Sequence, residues 1–147
     1  MKMRNFILFI IVVALLGAPL LVTGCNSGTA NITTDSPQVI KNISPSGAYG
    51  LIQENEGNDD LVIIDVRTPG EYAGGHIAGS LNIDVNSGSF KEAVNTLDND
   101  KTYLVYCRSG ARSANASGIM AELGFTDIYN MTGGINDWIS AGYPVVQ

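Results

Sequence analysis

The sequence predicts an α/β domain built on a parallel sheet covered by helices, and three observations predict it. From Val39 to Gln147, short runs rich in β-branched and aromatic residues alternate with stretches of helical periodicity. The run Leu61–Asp65 (LVIID) is apolar up to its last residue, as suits a strand buried on both faces. The spacing between runs leaves room for a helix between successive strands, which makes the strands parallel rather than hairpin-connected.

Each element has its own local reason. Val39–Ile43 is the first strand, and Ser44-Pro45 then offers an N-cap followed by proline at the first helical position. Ala48, Leu51 and Ile52 supply the apolar face of the helix that follows. Leu61–Asp65 is the second strand and Leu81–Ile83 a short third. Ser89 with Glu92 has the pattern of a capping box and predicts a helix with Phe90, Val94 and Leu97 on one face. Thr102–Tyr106 (TYLVY) is the fourth strand and runs directly into Cys107. Ala116, Ile119, Met120 and Leu123 then recur at i, i+3, i+4 and i+7 until Gly124 stops the helix. Asp127–Met131 is the last strand. The final helix, Ile135–Ala141, directs Ile135, Trp138 and Ile139 inward and is closed by Gly142 and Pro144.

The segment before Val39 has a different character. Lys2 and Arg4 precede an apolar run from Phe6 to Val22, interrupted only by Gly17 and Pro19, and Leu-Val-Thr-Gly-Cys25 ends it. A basic start, an apolar middle and small residues before a cut describe a secretory signal. The run is marginal as a membrane-spanning helix, which needs about 20 apolar residues. Leu21-Val-Thr-Gly-Cys25 resembles a prokaryotic lipobox, which implies residues 1–24 as a signal peptide and lipidation of Cys25 as the new N-terminus. Residues 25–38 are small and polar after the cysteine and read as a flexible tether, leaving 39–147 as the folded domain. The expected product is an exported lipoprotein anchored to a membrane on its extracytoplasmic side. The alternative is an ordinary secretory signal, or an uncleaved anchor, that happens to contain a cysteine, and either way the domain is expected outside the cytoplasm.

Composition narrows the chemistry. The whole chain carries 8 basic and 14 acidic side chains, a net charge of −6. Lys2 and Arg4 both lie in the signal, so the mature body is more acidic still. Such a body is a poor nucleic-acid binder and repels anions at long range. Any anion site must therefore supply its own positive field. Only two cysteines are present, and lipidation of Cys25 would leave Cys107 without a disulfide partner. An odd cysteine in an exported protein is either inert in the core or a reactive thiol.

The neighbours of Cys107 favour reactivity. Cys107-Arg-Ser-Gly-Ala-Arg-Ser113 lies between a strand and a helix, and a helix N-terminus with nearby arginines lowers a cysteine pKa. A tight loop containing glycine can aim several backbone N–H groups at one point and form an anion nest. Arg108 and Arg112 add the local positive charge that the acidic body lacks.

This loop resembles the active-site loop of the rhodanese family. Asp65-Val-Arg67-Thr-Pro-Gly-Glu71-Tyr72, Gly75-His76-Ile77-Ala-Gly79-Ser-Leu81 and Gly133-Gly134-Ile135…Trp138…Gly142-Tyr143-Pro144 resemble further signatures of that family. The resemblance spans about Val39 to Gln147. It implies a five-stranded parallel sheet with helices on both faces, and an enzyme that moves sulfane sulfur through a persulfide on Cys107. Arg108, Ser109, Gly110, Ala111 and Arg112 would cradle the substrate, with Arg108 meeting an anionic donor. The implied partners are a small sulfur-containing anion such as thiosulfate or polysulfide, and an external thiol, a thioredoxin-like protein or cyanide as acceptor. No cofactor is implied.

Other residues have blander readings. Asp65, Arg67 and Glu71 read as charges fixing the turn near the active loop. His76, the one histidine, reads as a turn residue, and Trp138 as core. No cluster of histidine, cysteine and carboxylates suggests a metal. Arg112 has two readings, an ion pair with an acid or a face toward substrate. Two other functions compete. A cysteine phosphatase or arsenate reductase uses Cys-x5-Arg, whereas here the spacing is Cys-x4-Arg, a tighter cradle. A non-catalytic rhodanese-like module would bind or regulate without turnover.

Overall fold

The computed structural model describes residues 39–147, so the expected signal peptide, the expected lipidation at Cys25 and the expected tether lie outside the described residues. Five strands form one parallel sheet: β1 (Ile40–Ile43), β2 (Leu61–Asp65), β3 (Leu81–Asn82), β4 (Thr102–Tyr106) and β5 (Asp127–Met131). Between and after them run α1 (Pro45–Glu54), α2 (Pro69–Ala73), α3 (Phe90–Val94), α4 (Ala111–Glu122) and α5 (Gly134–Ser140). The strand order is β1-β5-β4-β2-β3, with β4 at the centre.

That order places the site. From β2 the chain moves outward to β3, whereas from β4 it moves the opposite way to β5. The loops leaving β2 and β4 therefore diverge at a topological switch point, where open α/β sheets form their binding crevice. Asp65 and Tyr106 are paired in register at the ends of these two strands, so the loops start side by side.

The central strand separates two apolar layers. Tyr103 and Val105 pack with Ile64, Val66, Phe90, Val94, Met120 and Ile128. Leu104 and Tyr106 pack on the other face with Ala48, Ile63, Met131, Ile135 and Trp138. Successive side chains of a strand point to opposite faces, so a sheet covered on both sides needs apolar residues at every position. Burying each large apolar side chain contributes about 1.5–3 kcal/mol. Trp138 is 2 % exposed, and its indole N–H donates to the Pro144 carbonyl at 2.9 Å.

The helix boundaries follow local chemistry with three corrections. Ser44 caps α1 as expected, its hydroxyl accepting from the Gly47 N–H at 3.2 Å. Ser89 makes no side-chain cap bond, because its backbone is not extended and α3 is a single short turn ending before Leu97. The capping box forms elsewhere, at Thr68 and Glu71, which open α2 with Pro69 at its first position. Thr-Pro-x-Glu carries that signal in sequence, but a five-residue helix is too short to show an apolar period. Ile139 is 53 % exposed, against the expectation that it faces the core. Helix α5 has only seven residues, and Ile135 with Trp138 already fills the face it buries.

Candidate active site

Strand β4 ends at Tyr106, and the chain turns within four residues to start α4. Gly110 makes the turn in the left-handed region, φ +98°, which a side chain rarely tolerates. Its N–H donates to Cys107 Sγ at 3.1 Å. Helix α4 has no side-chain N-cap, so the sulfur occupies the place where a capping oxygen would accept. The positive end of the helix thus faces the nucleophile.

A second element shapes this cradle from behind. The carbonyls of Cys107 and Arg108 accept from the N–H groups of Ile135 (2.9 Å) and Asn136 (3.2 Å) at the start of α5. Fixing these carbonyls against α5 sets the turn of the loop in front of them. Only glycine fits between: a Cβ on Gly134, at φ +60°, would lie 2.5 Å from the Cys107 carbonyl oxygen. The Gly133-Gly134 pair is therefore a close-approach device for the cysteine loop.

Cys107 is 1 % exposed. Burial pushes its thiol pKa up, but hydrogen bonds outweigh that and leave it below the usual thiol value. The Ser113 hydroxyl contributes first, then the Ser113, Ser109 and Gly110 backbone amides. Neutral donors thus lead where the sequence had pointed equally to arginines. Ser113 Oγ lies 3.6 Å from Sγ, 3.0 Å from the Gly110 carbonyl and 2.7 Å from Asn130 Oδ1. Neither Ser113 nor Asn130 was singled out from sequence. The available signals were a serine one residue past the loop's second arginine and an asparagine inside an otherwise strand-forming run.

The arginines divide. Arg108 is exposed and makes no ion pair among the described residues. It stands on a cleft of about 300 Å³ whose wall also includes Arg67, Ile135, Asn136, Ile139 and Val145. Arg112 instead forks onto Glu71, with Nη1–Oε2 at 2.9 Å and Nη2–Oε1 at 2.7 Å. Of its two readings, the ion pair is the one present. The Arg112 fork, with the Thr68 bonds, holds the Glu71 carboxyl down to about pKa 2. Arg112 still contributes its field to Cys107 through space.

Asp65, Arg67 and His76 have structural positions. Asp65 is fully buried, and Arg67 grips it with Nη2–Oδ2 at 2.6 Å while donating to the Gly75 carbonyl at 2.7 Å. The His76 ring stacks on Tyr72 at 3.7 Å between centroids, and its backbone pairs with Val146. The site therefore gathers Cys107, the amides of Ser109, Gly110 and Ser113, and the Ser113 hydroxyl, with Arg108 exposed beside them.

Known proteins agree with this arrangement. The family model described as a rhodanese-like domain matches residues 49–141. A thiosulfate sulfurtransferase of Pseudomonas entomophila is 35 % identical over 104 residues, covering 71 % of this chain and 88 % of its own. A sulfurtransferase of Allochromatium vinosum is 32 % identical over 96 residues, covering 65 % and 88 %. A rhodanese-related protein of Thermoplasma volcanium, solved by crystallography, is 37 % identical with a TM-score of 0.62, covering 72 % of this chain and 97 % of its own. Relatives named as sulfurtransferases support sulfur transfer at the level of the family. With the switch-point cysteine, its amide cradle and these matches together, the chain belongs to the rhodanese-like domain family.

Proposed function

We propose that this protein is a sulfurtransferase that carries sulfane sulfur on Cys107 from a small sulfur-containing anion, such as thiosulfate or polysulfide, to an external acceptor. The observation that carries the reading is Cys107 Sγ held 3.1 Å from the Gly110 N–H, on a loop whose next residue, Arg108, is exposed on the cleft. The thiolate attacks the outer sulfur of thiosulfate. A new S–S bond forms on Cys107, the donor S–S bond breaks, and the electron pair leaves with sulfite. The negative charge passes to the outer sulfur of the persulfide, where the loop amides of Ser109, Gly110 and Ala111 oppose it. An acceptor thiolate or cyanide then takes that sulfur and returns the Cys107 thiolate. Arg108 binds the anionic end of the donor, and Arg112 acts through its field and its hold on Glu71. The acceptor is a small thiol or a thioredoxin-like protein.

The test is intact mass after incubation with thiosulfate. One sulfur atom should add to the protein and be removed by excess thiol, and Cys107→Ser should show neither adduct nor turnover, because serine forms no persulfide. A Cys107→Ser variant with full transfer activity would overturn the reading. We also propose that the chain is exported and lipidated at Cys25, which would hold the domain at the extracytoplasmic membrane face. Two or three acyl chains anchor stably, whereas one does not. A mature N-terminus that maps away from Cys25, without lipid mass, would sink that proposal.

A further inference from the structure

Ser113 has one hydroxyl proton and three acceptors within reach. The shortest approach is to Asn130 Oδ1 at 2.7 Å, not to Cys107 Sγ at 3.6 Å. Asn130 is 4 % exposed on β5, and its amide N–H donates to Asn42 Oδ1 on β1 at 2.9 Å. Asn42 and Asn130 are register partners, and Asn42 reaches the surface. A line of polar groups thus runs through an apolar sheet from the surface to the nucleophile. At a buried strand position where an apolar residue would pack as well, Asn130 is an expensive choice unless its amide is used.

An amide presents a donor and an acceptor at nearly the same positions, so turning it over exchanges their roles with little steric change. In one arrangement Asn42 accepts from Asn130, Asn130 accepts from Ser113, and the serine proton is drawn away from sulfur. With both amides turned, Asn42 donates to Asn130, Asn130 donates to Ser113 Oγ, and the serine proton is released toward Sγ. Both arrangements keep the Asn42–Asn130 and Asn130–Ser113 bonds.

We propose that Asn42, Asn130 and Ser113 form a hydrogen-bond relay that decides whether the Ser113 proton rests on Cys107 Sγ, making the two asparagines positioning residues for the thiolate. The proposal rests on the reading of Cys107 as a working nucleophile. A bare thiolate favours the arrangement that delivers the proton to Sγ. Once sulfur is loaded, the charge moves to the outer atom, the inner sulfur attracts the proton less, and Asn130 takes it back. The charged group that couples to this sulfur is Arg112 on α4, while Arg108 on the loop is exposed. Arg112 is paired with Glu71 of α2 and lies in the field of Asp84. The relay residues from β5 and β1 are uncharged.

The test starts at the surface end. In the full chain, Asn42→Asp offers only acceptors, so Asn130 must donate outward and its oxygen holds the Ser113 proton. The pH profile of Cys107 alkylation by iodoacetamide should move up by about half a unit, roughly threefold slower reaction at a fixed pH below the pKa. In a Ser113→Ala background the same substitution should move nothing, because the relay is cut, whereas a through-space field would persist. If Ser113→Ala does not fold, Asn130→Ala cuts the same line. An unmoved profile in Asn42→Asp, or an equal shift with the relay cut, overturns the proposal. Alkylation does not depend on sulfur transfer. A wild-type protein that takes up no sulfur from thiosulfate would therefore defeat the functional reading while leaving the relay measurable.

Discussion

The loop after β2 and the loop after β4 leave neighbouring strands at the same level of the sheet, yet they handle charge in opposite ways. Asp65 and Arg67 are both buried and committed to each other, and Arg67 also donates to the Gly75 carbonyl. Around Cys107 the leading contacts are neutral: a hydroxyl and backbone amides. A buried ion pair in low dielectric is stable only while complete, since either partner left alone keeps its desolvation cost. Such a pair suits a brace and cannot serve a site whose charge must change. Amides and hydroxyls meet a thiolate, a thiol or a persulfide without stranding a counter-charge. The difference teaches how a charged motif can be structural while a nearly neutral loop does the chemistry.

The comparison can be broken most severely at Asp65. Asp65→Ala strands the Arg67 guanidinium, which is only 6 % exposed, and should cost about 3–5 kcal/mol in denaturant unfolding. The alkylation profile of Cys107 in the folded fraction should stay put. A large shift there would show that the brace also tunes the sulfur.

Arg108→Ala should do the reverse. Unfolding should be unchanged, because the side chain is exposed and unpaired among the described residues. The kcat/KM for an anionic donor should fall by the equivalent of about 1–3 kcal/mol, the range of a charge-assisted hydrogen bond. Less charged donors should lose less. Equal losses across a donor panel would remove Arg108 from donor recognition.

The smallest effect is expected where the helices that follow the two loops touch, at Glu71 of α2 and Arg112 of α4. Both side chains are about a third exposed, so Glu71→Gln should cost only about 1 kcal/mol at neutral pH. The folded-state pKa of Glu71 is depressed to about 2, so its stabilisation is present above the ordinary carboxylate range and is lost as pH falls toward 2. Wild type and variant should therefore differ at pH 7 and converge in acid. A gap that widened on acidification would mean that Glu71 is not the group gaining from the pair.

Much of this was legible in the chain, and the reason is range. Strand and helix periods act over a few residues, so all five strands and the start of the Cys107 loop could be read directly. Ser44, Gly110 and Gly124 announced their caps and turns for the same reason. Errors arose where local signals were short or competing. The Ser89 pattern formed no cap bond while the Thr68–Glu71 one did, and Ile139 had the right period but no face left to cover.

The sequence by itself determined that a cysteine would stand at the carboxyl end of a buried parallel strand, at the start of a helix, among amides able to hold an anion. Only the tertiary structure decided which groups meet there. Arg112 and Glu71 are 41 residues apart, Asn130 and Asn42 are 88 apart, and Gly134 meets Cys107 through the start of α5. These meetings depend on the order β1-β5-β4-β2-β3, which puts β5 and β1 on one side of β4 and β2 on the other. Strand order is set by the joint burial of two apolar faces across the whole sheet, a sum over distant residues that no single segment carries.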